Sequence, residues 1–337
     1  MKVRVGIIGA TGYTAYEAIR LLLRHPHVEI TAVTSRQDEG LPIASVHPQL
    51  TSRLDLKLSV FDVDQFAKQC DVAFCCLPHG ASAETVKLLR DADCTVIDFS
   101  ADFRLSCVAE YENWYGVKHP WPEQIGRVAY GLPELFADQI RDADLIANPG
   151  CYPTSAIMPL APLIKAGAIQ TSDIIVDSKS GVSGAGRTPK LGTLYCETNE
   201  SIAPYAIGSH RHQPEMDDII DRFSGSRTNV LFTPHLTPMD RGILSTIYVR
   251  PQEADADRVR EIWQAMYGDS PFVRIVDHIP STKHVSGTNF VDLTVRPAGD
   301  RLVLVAAIDN LIKGASGAAV QNLNCIYGWD QTLGLMN

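Results

Sequence analysis

The chain has 337 residues, of which 45% are hydrophobic and 20% charged, and its net charge is −9, with an isoelectric point near 5.6. That composition supports apolar cores for two domains of roughly 100–200 residues each and excludes a coiled coil, a disulfide-stapled miniprotein and a disordered chain. The acidic balance argues against a nucleic-acid partner, and the longest apolar runs, such as residues 72–77, are far shorter than the ~18 residues of a membrane span.

Met1-Lys2-Val3-Arg4 leads into a strand-like run, not a signal peptide. Residues 2–8 alternate and then become wholly apolar, which predicts a buried parallel strand. A helix is expected over 13–24, with Ala15, Ala18, Ile19, Leu22 and Leu23 at helical spacing and Pro26 as its stop. Strands are expected at 28–34, 72–77, 95–99 and 144–147, with a helix over 82–90. The alternation predicts an α/β domain over residues 1–150, a Rossmann-type doubly wound parallel sheet. After Gly150 the pattern changes. Strand candidates at 174–177, 230–233, 243–249, 290–295 and 302–307 accompany one clear helix, 255–267, and a turn at Pro297-Ala298-Gly299-Asp300 joins the last two. A second, α+β domain of mostly antiparallel or mixed sheet is expected over 151–312. The helical stretch 314–327 is expected to return to the first domain, which then includes 313–337. No internal repeat is visible.

Gly6-Ile7-Ile8-Gly9-Ala10-Thr11-Gly12 lies between a strand and a helix. Glycines there let the backbone approach a pyrophosphate at the positive end of the helix. An NAD site usually places an acid at the end of the second strand to hold the ribose 2′-hydroxyl. Here Thr34-Ser35-Arg36 stands in that place, and a hydroxyl beside a guanidinium suits a 2′-phosphate. NADP is the expected cofactor, although Asp38 and Glu39 follow closely.

Asn148-Pro149-Gly150-Cys151-Tyr152-Pro153-Thr154 directly follows a sheet strand, where ligands of open α/β sheets sit. Pro153 suits the first turn of a helix, and a cysteine there has its thiolate stabilised by the exposed N–H groups. Pro159 and Pro162 are expected to kink or end that helix early. The base should be a histidine. His210-Arg211-His212-Gln213-Pro214-Glu215 is the densest candidate, with His212 beside a helix start marked by Pro214. A metal half-site is the other reading of His-x-His with a nearby Glu; no third ligand cluster accompanies it, and no metal is expected. The cysteines contain no CxxC pair, so zinc-ribbon and thioredoxin-like readings fail, and a reducing cytoplasm is the expected setting. Residues 98–104, 180–187 and 310–317 look like site loops.

These segments occur, in this order and over essentially the whole chain, as in the N-acetyl-gamma-glutamyl-phosphate reductase family, which the sequence resembles most strongly at the cysteine and double-histidine segments. The resemblance implies a Rossmann domain, a catalytic and oligomerising substrate domain, NADP, and a step of arginine biosynthesis on a small acyl-phosphate substrate. It implies Cys151 as nucleophile and His212 and His210 as acid/base candidates. It also implies cofactor contacts from Gly9, Ala10, Thr11, Gly12, Tyr13, Thr14, Ser35, Arg36, Pro78, Ser183, Gly184 and Asn310. Substrate contacts would come from Arg104, Asn148, Ser180 and Arg187, and the assembly would be a homodimer or homotetramer. The implied chemistry is thiolate attack on the acyl phosphate, loss of phosphate, and reduction of the thioester to an aldehyde with histidine handling the proton. Ala15 departs from the family's usual glycine, and Ser155 from its usual Gly or Ala. Three other functions stay in view: an aminoadipyl-phosphate reductase, whose substrate differs by one methylene; aspartate-semialdehyde dehydrogenase; and a non-catalytic NADP-sensing regulator.

Overall fold

The computed structural model describes residues 2–252 and 254–336. Met1, Glu253 and Asn337 lie outside the described residues, and with them the outermost positions of the ranges 1–150 and 313–337. The chain forms two compact units, Met1–Pro149 with Ala315–Asn337, and Gly150–Gly314.

The first unit runs β1 (Val3–Ile8), α1 (Tyr13–Leu22), β2 (Val28–Thr34), α2 (Ile43–Val46), α3 (Val63–Gln69), β3 (Val72–Cys75), α4 (Ala83–Asp91), β4 (Thr95–Asp98), α5 (Val108–Tyr115), β5 (Ala129–Tyr130), α6 (Pro133–Arg141) and β6 (Leu145–Ala147). Its sheet has the order β2-β1-β3-β4-β6-β5, and every pairing is parallel. All four residues of β3 are fully buried, as a central parallel strand with both faces covered requires. Cys75 and Cys94 are small core residues, and burial pushes the Cys94 thiol up to about 12. The chain fills β2 on one side of β1 and then crosses to β3 on the other. The order therefore reverses at β1, which puts a crevice at the carboxyl ends of β1 and β3.

The second unit runs α7 (Cys151–Lys165), β7 (Ile174–Gly181), α8 (Tyr195–Thr198), β8 (Ala203–Pro204), α9 (His212–Ser224), β9 (Val230–Thr237), β10 (Ile243–Val249), α10 (Ala256–Tyr267), β11 (Val273–Ile275), α11 (Thr282–Val285), β12 (Val291–Ala298) and β13 (Arg301–Ile308). Its sheet, ordered β11-β12-β13-β10-β7-β9-β8, is mixed. The β7–β9 and β11–β12 pairs are parallel and the others antiparallel. Along β10, Ile243, Ser245, Ile247 and Val249 are buried while Leu244, Thr246 and Tyr248 are only partly so, because α7, α9 and α10 pack against one face. Beyond β13 a π-helical turn, Ile312–Ser316, leads into α12 (Gly317–Ile326), which belongs to the first unit.

Two expectations need correction. Residues 255–267 are not the only long helix of this unit, since α7 and α9 have 15 and 13 residues. Nor does α7 break at its prolines. Pro162 cannot offer the N–H that Met158 O would accept, and Tyr267 Oη donates to that oxygen instead, at 2.7 Å. Trp263 Nε1 donates to Pro159 O at 3.0 Å. The helix is thus held through its prolines by two buried side chains of α10.

Candidate active site

The turn after β1 has the shape a dinucleotide needs. Gly9 sits at φ +77°, and a Cβ there would lie 2.6 Å from Cys76 O, so only glycine suits the position. Gly12 caps α1, no side chain caps it among the described residues, and the first turn carries no acid. A Cβ at Gly12 would meet open space. The first N–H groups of α1 thereby face a cradle able to take a phosphate. Gly6 has a different reason: its Cβ would strike the Phe66 ring at 2.2 Å, so it serves packing of α3 and not the ligand. Ala10 N–H donates to Thr34 O, 2.9 Å, Thr14 O accepts from Ser316 Oγ, 2.7 Å, and Thr11 and the exposed Tyr13 complete the turn. Ala15, the departure from glycine, is fully buried inside α1 in helical geometry that does not need glycine. At the end of β2 the Ser35 hydroxyl donates to Asp38 Oδ2 at 3.0 Å, so Arg36, exposed, is the cation presented there. Pro78 lies on the exposed turn after β3.

The segment after β4 is a buried polar network. Asp102 accepts from the N–H groups of Gly80, Ser82 and Ala83 and from Tyr111 Oη. Asp98 accepts from Ser82 and Ser100 hydroxyls, and burial, with the nearby Asp102 charge, pushes its carboxyl up to about 6. Arg104 is only 4% exposed, and its Nη2 donates to Phe99 O at 2.8 Å. Asn148 is similarly buried; its Nδ2 donates to Ala315 O at 2.9 Å and its Oδ1 accepts from Asn322 at 3.1 Å. Both residues bind their own unit's backbone or side chains.

In the second unit Cys151 opens α7, behind Gly150 in extended conformation. The helix is uncapped by any described side chain, so its positive end favours negative charge on the thiol. Gly150 N–H donates to Glu215 Oε1 at 2.8 Å, and Gly150 O accepts from both N–H and Oγ1 of Thr154, at 2.9 Å each. Glu215, in the first turn of α9, is 1% exposed. It therefore pins the cysteine turn from α9. The sequence showed Glu215 only as a member of the histidine segment; its pairing with Gly150 had no local signal. Ser155 Oγ donates to Tyr152 O at 2.8 Å and joins a buried hydroxyl chain with Ser245 and Ser178.

The histidines stand around Tyr152. His210 lies 5.5 Å from the Tyr152 ring and 5.3 Å from Phe232, between centroids, and His212 lies 5.9 Å from Tyr152. His210 Nδ1 accepts from His212 N–H at 3.1 Å, which assigns its proton to Nε2. Burial, then the Arg211 charge, pulls its pKa down to about 4. Tyr205 Oη donates to Tyr152 Oη, and burial raises both phenols, Tyr205 to about 12. Ser180 is the penultimate residue of β7, not part of a loop. Ser183 and Gly184 follow in a 3₁₀ turn, where Asn310 Nδ2 donates to Ser183 Oγ at 3.0 Å and Asn310 Oδ1 accepts from Gly242 N–H at 2.7 Å. Arg187 is exposed on the loop beyond. The second unit thus brings Ser180, Ser183, Gly184 and Asn310 together, while the glycine turn, Ser35, Arg36, Pro78, Arg104 and Asn148 belong to the first.

Residues 4–143 match the family described as "Semialdehyde dehydrogenase, NAD binding domain", and residues 151–310 the one described as "Semialdehyde dehydrogenase, dimerisation domain". A Rhodopirellula baltica protein named N-acetyl-gamma-glutamyl-phosphate reductase is 63% identical, with 99% of each chain covered. One of the same name from Desulforudis audaxviator is 47% identical over 99% of this chain and 98% of its own. Among solved structures, aspartate semialdehyde dehydrogenase II of Vibrio cholerae aligns with a TM-score of 0.72 at 19% identity, covering 97% of this chain and 99% of that one. The Candida albicans aspartate semialdehyde dehydrogenase solved with NADP aligns with a TM-score of 0.70 at 16% identity, with the same coverage. These two show the shared fold alone. The full-length identity and the two matched domains establish that the chain belongs to the N-acetyl-gamma-glutamyl-phosphate reductase family of semialdehyde dehydrogenases.

Proposed function

We infer that the chain reduces N-acetyl-L-glutamyl 5-phosphate to N-acetyl-L-glutamate 5-semialdehyde with NADPH, releasing phosphate, as a step of arginine biosynthesis. The observation that carries this is the 63% identity over 99% of both chains; Cys151 at an uncapped helix start supports the chemistry.

In this reading the Cys151 thiolate attacks the acyl carbon and phosphate leaves, forming a thioester on Sγ. NADPH, which the glycine turn after β1 and Arg36 would hold, would supply the hydride for its reduction. Collapse of the resulting thiohemiacetal returns the thiolate and frees the aldehyde. His212 is the better proton-transfer group. A histidine pulled to about 4 is protonated in roughly one molecule per thousand at pH 7, too few for a general acid. His210 instead orients the segment through its bond to His212 N–H. Ser180 and Arg187 remain the substrate groups of the second unit. Arg104 and Asn148 are better read as ties within the first unit, given their burial and partners.

The reverse reaction tests this. Semialdehyde with NADP should give NADPH over many turnovers only when phosphate or arsenate is present, because the thioester needs an oxyanion acceptor. Full rates without either would mean hydrolytic aldehyde oxidation and would overturn the acyl-phosphate reading. The cofactor choice is tested separately. Since Ser35 is engaged with Asp38, the 2′-phosphate preference should rest on Arg36, and Arg36→Ala should shrink the NADP/NAD ratio of kcat/KM by about tenfold. An unchanged ratio would place the 2′-phosphate elsewhere.

The same reading includes a homo-oligomer built on the uncovered face of the second sheet, where Ile175, Thr233, Tyr248 and the 54% exposed Leu231 share a surface. The match of residues 151–310 to a dimerisation domain supports it; sedimentation as a monomer would refute it. No described helix is long and apolar enough to cross a membrane. None of the eight cysteines is paired in a disulfide, as expected of a reducing compartment such as the cytoplasm.

A further inference from the structure

Far along the chain from the cysteine and double-histidine segments, the second unit gathers three metal-ligating side chains. A ring nitrogen of His278, one of His284 and a carboxylate oxygen of Asp292 lie within 4.8 Å of one another. They come from three pieces of chain. Asp292 is on β12, His278 follows β11, and His284 is on α11. The imidazoles are already in edge contact, with centroids 5.1 Å apart.

The state of Asp292 carries the argument. It is 1% exposed. Arg274, directly opposite on the paired strand, donates from Nε to Oδ1 at 2.6 Å and stacks on Phe290 with its carbon 4.3 Å from the ring centroid. Oδ2 is buried and receives no hydrogen bond from any described group. A buried carboxylate oxygen without a donor is uncommon and costly. Arg274 therefore fixes the carboxylate through one oxygen and leaves the lone pairs of the other to a different partner, as groups behind a metal ligand do.

We propose that His278, His284 and Asp292 form a binding site for a divalent transition-metal ion of the zinc type. The donor set decides the class. Two imidazoles and one carboxylate suit zinc and its neighbours, whereas calcium and magnesium require mostly oxygen. The Arg274 charge points the same way: it opposes any cation, and only an ion that gains strongly from nitrogen ligands overcomes it. Bonds of about 2.0–2.2 Å in a tetrahedral site put ligand atoms roughly 3.3–3.5 Å apart. Both histidines are exposed, so their rings can rotate inward to that spacing around the fixed carboxylate. Three protein ligands leave the fourth position to water. The ion would clip the β11–α11 segment to β12.

Metal-stripped protein titrated with cobalt(II), then with zinc(II) in competition, tests the site. One cobalt per chain should bind, with visible bands of nitrogen and oxygen coordination and without the near-ultraviolet band of a thiolate ligand. His284→Ala and His278→Ala should each weaken binding by about 100-fold or more. Cys151→Ser and His212→Gln should leave it unchanged. The two exposed histidines can be replaced without touching a core; Asp292→Asn is the secondary variant, because it also loosens Arg274. Absence of binding, binding that survives both histidine substitutions, or a thiolate band lost in Cys151→Ser would each overturn the proposal. None of these outcomes depends on the reductase reading, since the readout is metal stoichiometry and spectrum.

Discussion

Cys151→Ser should abolish turnover while leaving NADP affinity and the fold intact. Serine replaces sulfur by oxygen at the first residue of α7, so Gly150 keeps its bond to Glu215 and Thr154 keeps its bonds to Gly150. Lost is an ionisable nucleophile that is also a good leaving group. An alkoxide does not form at neutral pH in the field of one helix terminus, whose effect is at most ~2 kcal/mol. A fall in kcat of at least about 10⁴-fold is expected, equivalent to roughly 5 kcal/mol of transition-state stabilisation. The measurement is steady-state NADPH oxidation on the acyl phosphate, with cofactor affinity from fluorescence titration. Activity within about tenfold of the parent would remove Cys151 from the nucleophile's role. Mass spectrometry adds a separate readout: the unsubstituted chain should carry an acyl group on Cys151 when semialdehyde and NADP are supplied without phosphate, and the variant should not.

The cysteine turn was legible because its chemistry is local. Pro149-Gly150 before Cys151 and Pro153 after it mark a strand-to-helix turn in the local sequence, and Gly9 and Gly12 do the same for the turn after β1. The alternation of strands and helices up to residue 150 was legible because β3 and β6 are wholly apolar and β1 becomes so in its second half. Features that depend on distant partners were not. Whether Pro159 and Pro162 break α7 is decided by Trp263 and Tyr267, more than a hundred positions away. Glu215 reaches Gly150 across 65 positions. Asn148 and Arg104 carry side chains fit for a substrate, and only their burial and partners show how far the first unit uses them. Strands such as β5, β8 and β11, with two or three residues each, are too short for a periodicity to register. They are specified by the neighbour they pair with.

Gly314→Ala should damage catalysis without damaging the cofactor site. Gly314 lies in the π-helical turn that follows β13. A Cβ built on it would stand 2.7 Å from Cys151 Cβ and 3.1 Å from Cys151 Cα, closer than side-chain carbons approach. Neither contact can relax cheaply. The atoms met are the root of the cysteine and its backbone, not the tip of a flexible chain, and Gly314 N–H is itself held by Asp309 O at 2.9 Å. Asp309 is anchored in turn, its Oδ1 accepting from Leu311 and Ile312 N–H and its Oδ2 from Gly287 N–H. The strain must therefore appear as displacement of the α7 terminus, and a misplacement of about 1 Å at a nucleophile costs about 100-fold in rate. The expected result is a drop in kcat of that size, with NADP affinity unchanged and slower alkylation of Cys151 by iodoacetamide. Gly12→Ala is the opposite control: its Cβ would meet open protein space, so it should leave the Cys151 alkylation rate unchanged and act only on cofactor binding. Parental kcat and alkylation rate in Gly314→Ala would show that the turn yields before the cysteine does.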